Sequence, residues 1–166
     1  MIEKRNIPIS LPVTGEDEWM AVKEPLMTGW LTSGPKVRAF EEAFAKRHQV
    51  KHALAVTSAT TALHLALVAL EIGPGDEVIV PAFTWVSTAN VVMHQGAKVV
   101  FCDIDPTTFN IDPKKITDKI TSNTKAIMAV HLFGLCADVD AIKAVAPNIP
   151  IIEDGACAAG AAYKGV

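Results

Sequence analysis

From residue 51 onward, short apolar runs alternate with longer stretches whose apolar residues recur every three or four positions. That is the pattern of a mainly parallel β-sheet covered by helices. The apolar runs predict strands over 53–56, 77–80, 98–102, 125–130 and 149–152. Between them, helices are predicted from Thr57 through Leu70, from Thr84 to about Gln95, from Asp112 to Ile120 and from Asp138 to about Ala146. The first of these is apolar almost all round, so deep burial is expected of it. Gly73-Pro74-Gly75-Asp76 reads as a tight turn, and Gly96 suits a left-handed helix cap. The fold class expected is α/β, a mainly parallel sheet sandwiched by helices.

The first fifty residues follow a different pattern. Proline spacing over 7–12 predicts an extended arm lying across a surface or another subunit, since proline excludes a helix there. Thr14 and the acidic run Glu16-Asp17-Glu18 mark a helix start, because anions favour the positive end of the helix dipole. That helix should reach Thr28-Gly29, bent or shortened at Pro25. Trp30 to Gly34 is a turn with an exposed aromatic, and Pro35 suits the first turn of the next helix. Val37, Phe40 and Phe44 form one apolar face of that helix, which should end near Gln49.

Composition narrows the function. Of 166 residues half are hydrophobic and 20% charged, enough apolar material for a real core. The net charge of -3 comes with no long basic block, which points away from nucleic acid and anionic membrane and toward a small metabolite. Cys102, Cys136 and Cys157 have no metal-type spacing and are odd in number, so reduced thiols, no disulfide, no zinc and a cytoplasmic protein are expected. The polar N-terminus has no secretory h-region, and the most apolar run, 62–70, is too short to span a bilayer.

Candidate chemistry gathers where predicted strands end. The stretch 150–160 delivers Asp154 from a buried strand to the sheet's carboxyl edge, where open α/β folds bind ligands. Asp154 is either a site carboxylate or a loop cap. Thr57-Ser58-Ala59-Thr60-Thr61 joins a strand to a helix and offers either a phosphate cup or a hydroxyl N-cap. Trp85 follows the next strand, as a core residue or as a plate for a flat ligand. His131 also follows a strand and is either a hydrogen-bonded structural residue or part of the same crevice. His48, His52, His64 and His94 have no metal-like spacing. There is no GxxxxGK[ST], and Gly73-Pro74-Gly75 precedes a strand where a dinucleotide fingerprint would follow one, which disfavours a nicotinamide oxidoreductase.

A phosphate cup, an aromatic plate and a carboxylate, each after a different strand, suit a phosphorylated pyridine cofactor. The cup anchors the phosphate, the plate covers one ring face, and the carboxylate keeps the ring nitrogen protonated. Pyridoxal 5'-phosphate (PLP) fits that description.

Several segments also resemble the DegT/DnrJ/EryC1/StrS family. They are Ser58-Ala59-Thr60-Thr61-Ala62-Leu63-His64, Gly73-Pro74-Gly75-Asp76-Glu77-Val78, Thr84-Trp85, Asp103-Ile104-Asp105-Pro106, Val130-His131-Leu132-Phe133-Gly134 and Ile152-Glu153-Asp154. The resemblance runs in order from about Leu31 to Gly165. It implies the large domain of a fold-type I PLP enzyme, in which Ala59 and Thr60 hold the phosphate, Trp85 stacks on the pyridine and Asp154 pairs with its nitrogen. It places Trp30 to Gly34 near the active site of a homodimer. Cys157 stands where the family commonly has His or Gln, beside the cofactor's ring oxygen or the substrate.

On this resemblance, residues 1–34 are an N-terminal arm and helix, and 35–166 an incomplete PLP-binding domain lacking the family's small C-terminal domain. The Schiff-base lysine is expected beyond Val166; Lys164 stands too early and in the wrong context. The implied activity transfers an amino group from an amino-acid donor, glutamate in the typical case, to a nucleotide-linked keto sugar in deoxyamino-sugar biosynthesis. The alternatives are a PLP-dependent sugar dehydratase of the same family, with histidine at the lysine position, and a non-catalytic fragment or binding module.

Overall fold

Four strands, β1 (Glu77–Pro81), β2 (Lys98–Cys102), β3 (Thr124–Val130) and β4 (Ile151–Asp154), pair in parallel in the order β2-β1-β3-β4. They come from a computed structural model that describes residues 11–165. The chain separates into two compact units with the boundary between Ala55 and Val56.

The second unit carries the sheet. Helices α3 (Ala59–Ala69) and α4 (Ser87–His94) cover one face, where Leu63, Leu67, Val91 and Val92 pack with Val78, Val80, Ala126 and Met128. Helices α5 (Pro113–Ile116) and α6 (Val139–Val145) lie on the other, where Ile116, Ala137 and Ile142 pack with Ile79, Ile127 and Ala129. Alternate strand residues thus feed opposite cores, which is why β1 and most of β3 read as unbroken apolar runs. The chain leaves β1 for β2 on one side and takes up β3 on the other. The switch point therefore lies between β1 and β3, and ligand crevices open beyond the carboxyl ends of such strands.

The helix boundaries follow local chemistry. Asp112 and Asp138 accept backbone N–H bonds from Lys114 and Ala141, capping α5 and α6. A 3-10 turn over Thr117–Lys119 carries α5 on to Ile120. Helix α4 ends at Gly96, whose φ of +72° is the left-handed conformation glycine takes at no steric cost. At the amino edge of the sheet the buried Glu77 carboxylate accepts from Lys98 Nζ (2.7 Å) and Thr121 Oγ1 (2.6 Å).

The first unit holds α1 (Glu16–Thr28) and α2 (Pro35–Arg47). Helix α1 keeps its full predicted length with Pro25 inside it; Glu18 accepts from the Gly15 N–H (2.7 Å), and Gly29 closes the other end at φ +77°. Neither helix buries a residue within the described residues. Trp30, exposed as expected, lies so close over Gly34 that a Cβ there would come within 2.7 Å of its ring.

Two expectations are corrected. No strand forms over 53–56: among the described residues no strand lies alongside to supply ladder bonds, and the Ala55 N–H goes to the Glu41 carboxylate instead (2.8 Å). Helix α3 is not deeply buried all round. Only Leu63 and Leu67 are buried, on the stripe that meets the sheet, whereas Leu65 and Val68 are exposed. The arm expected over 7–12 falls mostly outside the described residues.

Candidate active site

Three of the sequence-derived groups stand at or beyond the carboxyl edge of the sheet or at the start of a helix there. At the head of α3, Ser58 is the N-cap and its Oγ accepts from the Thr61 N–H (3.2 Å), while the Ala62 N–H binds the Ser58 carbonyl (3.1 Å). The N–H groups of Ala59 and Thr60 have no acceptor among the described residues. The N-cap reading of this segment therefore holds. The serine caps the helix, and two N–H groups with the positive helix end remain available to an anion. The Thr60 hydroxyl donates to Ser87 Oγ (2.9 Å), tying this cup to the first turn of α4.

Trp85 lies between β1 and α4 and is 74% exposed, so it is no core residue. Its neighbour Thr84 has a buried hydroxyl without a hydrogen-bond partner. Asp154 closes β4 and is 7% exposed. One of its oxygens accepts from the Ala156 N–H (3.1 Å), so it does cap its loop. The other lies 3.4 Å from the hydroxyl of Thr88, which is completely buried in α4. That is long for an O–H···O bond, leaving the carboxylate with acceptor capacity unused. Ala59, Leu63, Asp154, Gly155 and Ala156 line one depression of about 270 Å³. Thr60, Trp85 and Cys157 lie outside its lining; Cys157 is exposed in the loop after Asp154.

His131 is held on both sides of its ring. Nδ1 accepts from the Ala137 N–H (3.0 Å) and Nε2 meets the Glu153 carboxylate (3.0 Å), the hydrogen-bonded structural role among the sequence alternatives. The histidine bond holds the Glu153 carboxyl below its ordinary range, against the opposing effect of partial desolvation. Lys164 pairs with the Asp140 carboxylate (2.5 Å), and that bond raises its ammonium above the usual lysine range. No group of three or more metal-ligating side chains occurs among the described residues, and no helix there is long and apolar enough to cross a membrane.

Sequence reasoning missed Ser87 and Thr88. Thr88 falls inside the predicted helix, but no local pattern marks it, because its partner Asp154 lies 66 residues away. Only the tertiary fold, which brings the start of α4 to the end of β4, makes the pair.

The sequence pattern described as the DegT/DnrJ/EryC1/StrS aminotransferase family matches residues 12–166. The chain belongs to that family. It is 51% identical over 168 residues to the spore coat polysaccharide biosynthesis protein SpsC of Bacillus subtilis, an alignment covering 99% of this chain and 43% of SpsC. Among solved structures it resembles 3-amino-5-hydroxybenzoic acid synthase with a TM-score of 0.89 and 41% identity, over 94% of this chain and 42% of that one. It also resembles the PLP form of the protein Spr1654 of Streptococcus pneumoniae, with a TM-score of 0.82 and 41% identity, over 85% and 36% respectively. The chain spans about two-fifths of the length of these relatives. As a fold, the family member has the parallel, helix-covered sheet of the fold-type I PLP-binding domain.

Proposed function

We propose that this family member is the cofactor-binding portion of a PLP-dependent aminotransferase that transfers an amino group from an amino acid, glutamate in this reading, to the keto carbon of a nucleotide-linked sugar. The observation that carries the reading is Asp154, a buried carboxylate at the end of a strand with unused acceptor capacity, beside a helix start that has two free N–H groups. A pyridine ring with a phosphate substituent matches that donor and acceptor set. When bound, PLP supplies an electron sink for the carbon that loses or gains the amino group.

The roles of the chain's residues follow from their chemistry. Asp154 holds a proton at the ring nitrogen, since an ionised carboxylate nearby favours the charged form of that base. The N–H groups of Ala59 and Thr60 bind the phosphate, helped by the α3 dipole. Trp85 covers one ring face and keeps water from it. Cys157 stands on the ring-oxygen or substrate side. The lysine that engages the cofactor lies outside this chain, as does the second domain; residues 1–34 serve as arm and helix, and 35–166 as the PLP-binding part. A homodimer in the cytoplasm completes the reading.

The test uses the complete protein. After incubation with PLP and borohydride reduction, peptide mapping should find one reduced adduct, on a lysine outside residues 1–166. Amination of a keto sugar nucleotide with glutamate as donor should follow. Dehydration without amination would overturn the transferase assignment, and failure to bind PLP at all would overturn the whole reading.

A further inference from the structure

His131 is 9% exposed and is not among the residues lining the depression beside Asp154, yet both ring nitrogens and its backbone N–H are hydrogen-bonded. An amide N–H can only donate, so the Nδ1 that faces Ala137 must be the unprotonated, accepting nitrogen. The ring proton then sits on Nε2 and points at Glu153. The contact is thus a neutral donor on a carboxylate rather than an ion pair, because a second ring proton would have to sit on Nδ1, opposing the Ala137 N–H. The backbone N–H of the same residue donates to the Asp154 carbonyl (3.0 Å). One residue therefore grips the side chain of position 153 and the main chain of position 154.

Glu153 also borders the depression beside Asp154, but the register sends the two side chains to opposite faces. Val130 pairs with Asp154 and Ala129 with Glu153, and successive side chains point to opposite faces. Glu153 and His131 lie with Ala129 on the α5 and α6 face, while the Asp154 carboxylate meets Thr88 on the α3 and α4 face.

We propose that His131 is a neutral, Nε2-protonated strut whose bonds to Ala137 and Glu153, with its backbone bond to Asp154, hold the end of β4 from behind the sheet and so position the Asp154 carboxylate. It is a positioning residue, and its importance for catalysis rests on the role proposed above for Asp154.

Imidazole ¹⁵N correlation spectra of the complete protein without cofactor read the tautomer directly. A neutral Nε2–H ring is expected at pH 7 in the wild type and in Glu153→Gln, whose amide oxygen still accepts. A doubly protonated ring, or an Nδ1–H tautomer, would overturn the strut. Three variants then separate its bonds. His131→Asn keeps an acceptor near the Nδ1 position, His131→Gln keeps a donor near the Nε2 position, and His131→Leu keeps neither. The ¹³C resonance of the Asp154 carboxyl should move furthest in the leucine variant and by a smaller but resolved amount in the other two, each of which keeps only one of the two side-chain bonds. With PLP bound, turnover should fall about tenfold in His131→Leu, the scale of losing an outer hydrogen-bond partner of a site, and recover in part in His131→Asn and His131→Gln. An unmoved carboxyl resonance in a folded leucine variant would overturn the positioning role. If that variant fails to fold, unmoved resonances in both polar variants would do the same. A wild type that binds no PLP would sink the proposed function instead, and the cofactor-free spectra would still judge the strut.

Discussion

The hydroxyl of Thr88 in the first turn of α4 lies 3.4 Å from Asp154 Oδ2 at the end of β4, both groups buried and 66 residues apart. The pair joins the helix that follows β1 to the strand that follows α6. It orients a carboxylate without saturating it.

This arrangement predicts graded effects. Thr88→Val keeps the shape and removes the donor, so it should lower stability by about 1 kcal/mol and turnover modestly. Asp154→Asn removes the charge itself and should lower turnover on the order of a hundredfold, the scale of losing one electrostatic partner of a reacting group. Steady-state kinetics of both variants in the complete protein decide it; equal losses would contradict the ranking.

At the head of α3, capping and anion binding separate cleanly. Ser58→Ala removes the N-cap bond and should cost about 1 kcal/mol in urea denaturation. Ala59→Pro removes one of the two free N–H groups without touching a side-chain bond, and proline is tolerated at the first position of a helix, here after the extended Ser58. PLP affinity should therefore fall about tenfold or more, the scale of one hydrogen bond to a charged group, with little change in stability. Fluorescence titration with PLP measures the first effect and thermal melting the second.

Helix α3 has one face in the core and one face out. Leu67→Ala, at a fully buried position, should cost about 2–5 kcal/mol. Leu65→Ala, at an exposed one, should stay within about 0.5 kcal/mol in the isolated chain. Denaturant midpoints of the two variants check this.

The Glu77 carboxyl is held below its ordinary value, first by the Lys98 hydrogen bond and then by that of Thr121. A depressed folded-state value means stability that is fully present above the unfolded carboxyl's pKa and is lost as pH falls through the lower folded value. Glu77→Gln should therefore flatten the acid limb of a stability-against-pH curve. An unchanged slope below pH 4.5, the carboxyl's ordinary value, would contradict the assignment.

Burial pushes the Cys102 thiol up to about 11, whereas Cys157 is exposed. A thiol reagent at pH 8 should modify Cys157 in the native protein and reach Cys102 only after unfolding, because the thiolate is the reactive form. Peptide mapping after timed labelling gives the order.

Much of this was legible in the chain itself. Apolar runs alternating with helical ones determined the α/β class, since a strand covered on both faces must be apolar on both. Asp112, Asp138, Pro35 and Gly96 marked element ends because caps and left-handed turns depend on a few neighbouring atoms. Asp154, Ala59, Thr60 and Trp85 could be singled out because each follows or opens an element. Tertiary structure decided what a local pattern does not contain. An apolar run such as 53–56 becomes a strand only if another strand lies beside it, and the apolar girth of α3 does not say which stripe meets the sheet. Thr88 meets Asp154, and His131 meets Glu153, only because the strand order β2-β1-β3-β4 brings distant segments to one edge and the pleat sends neighbouring side chains to opposite faces.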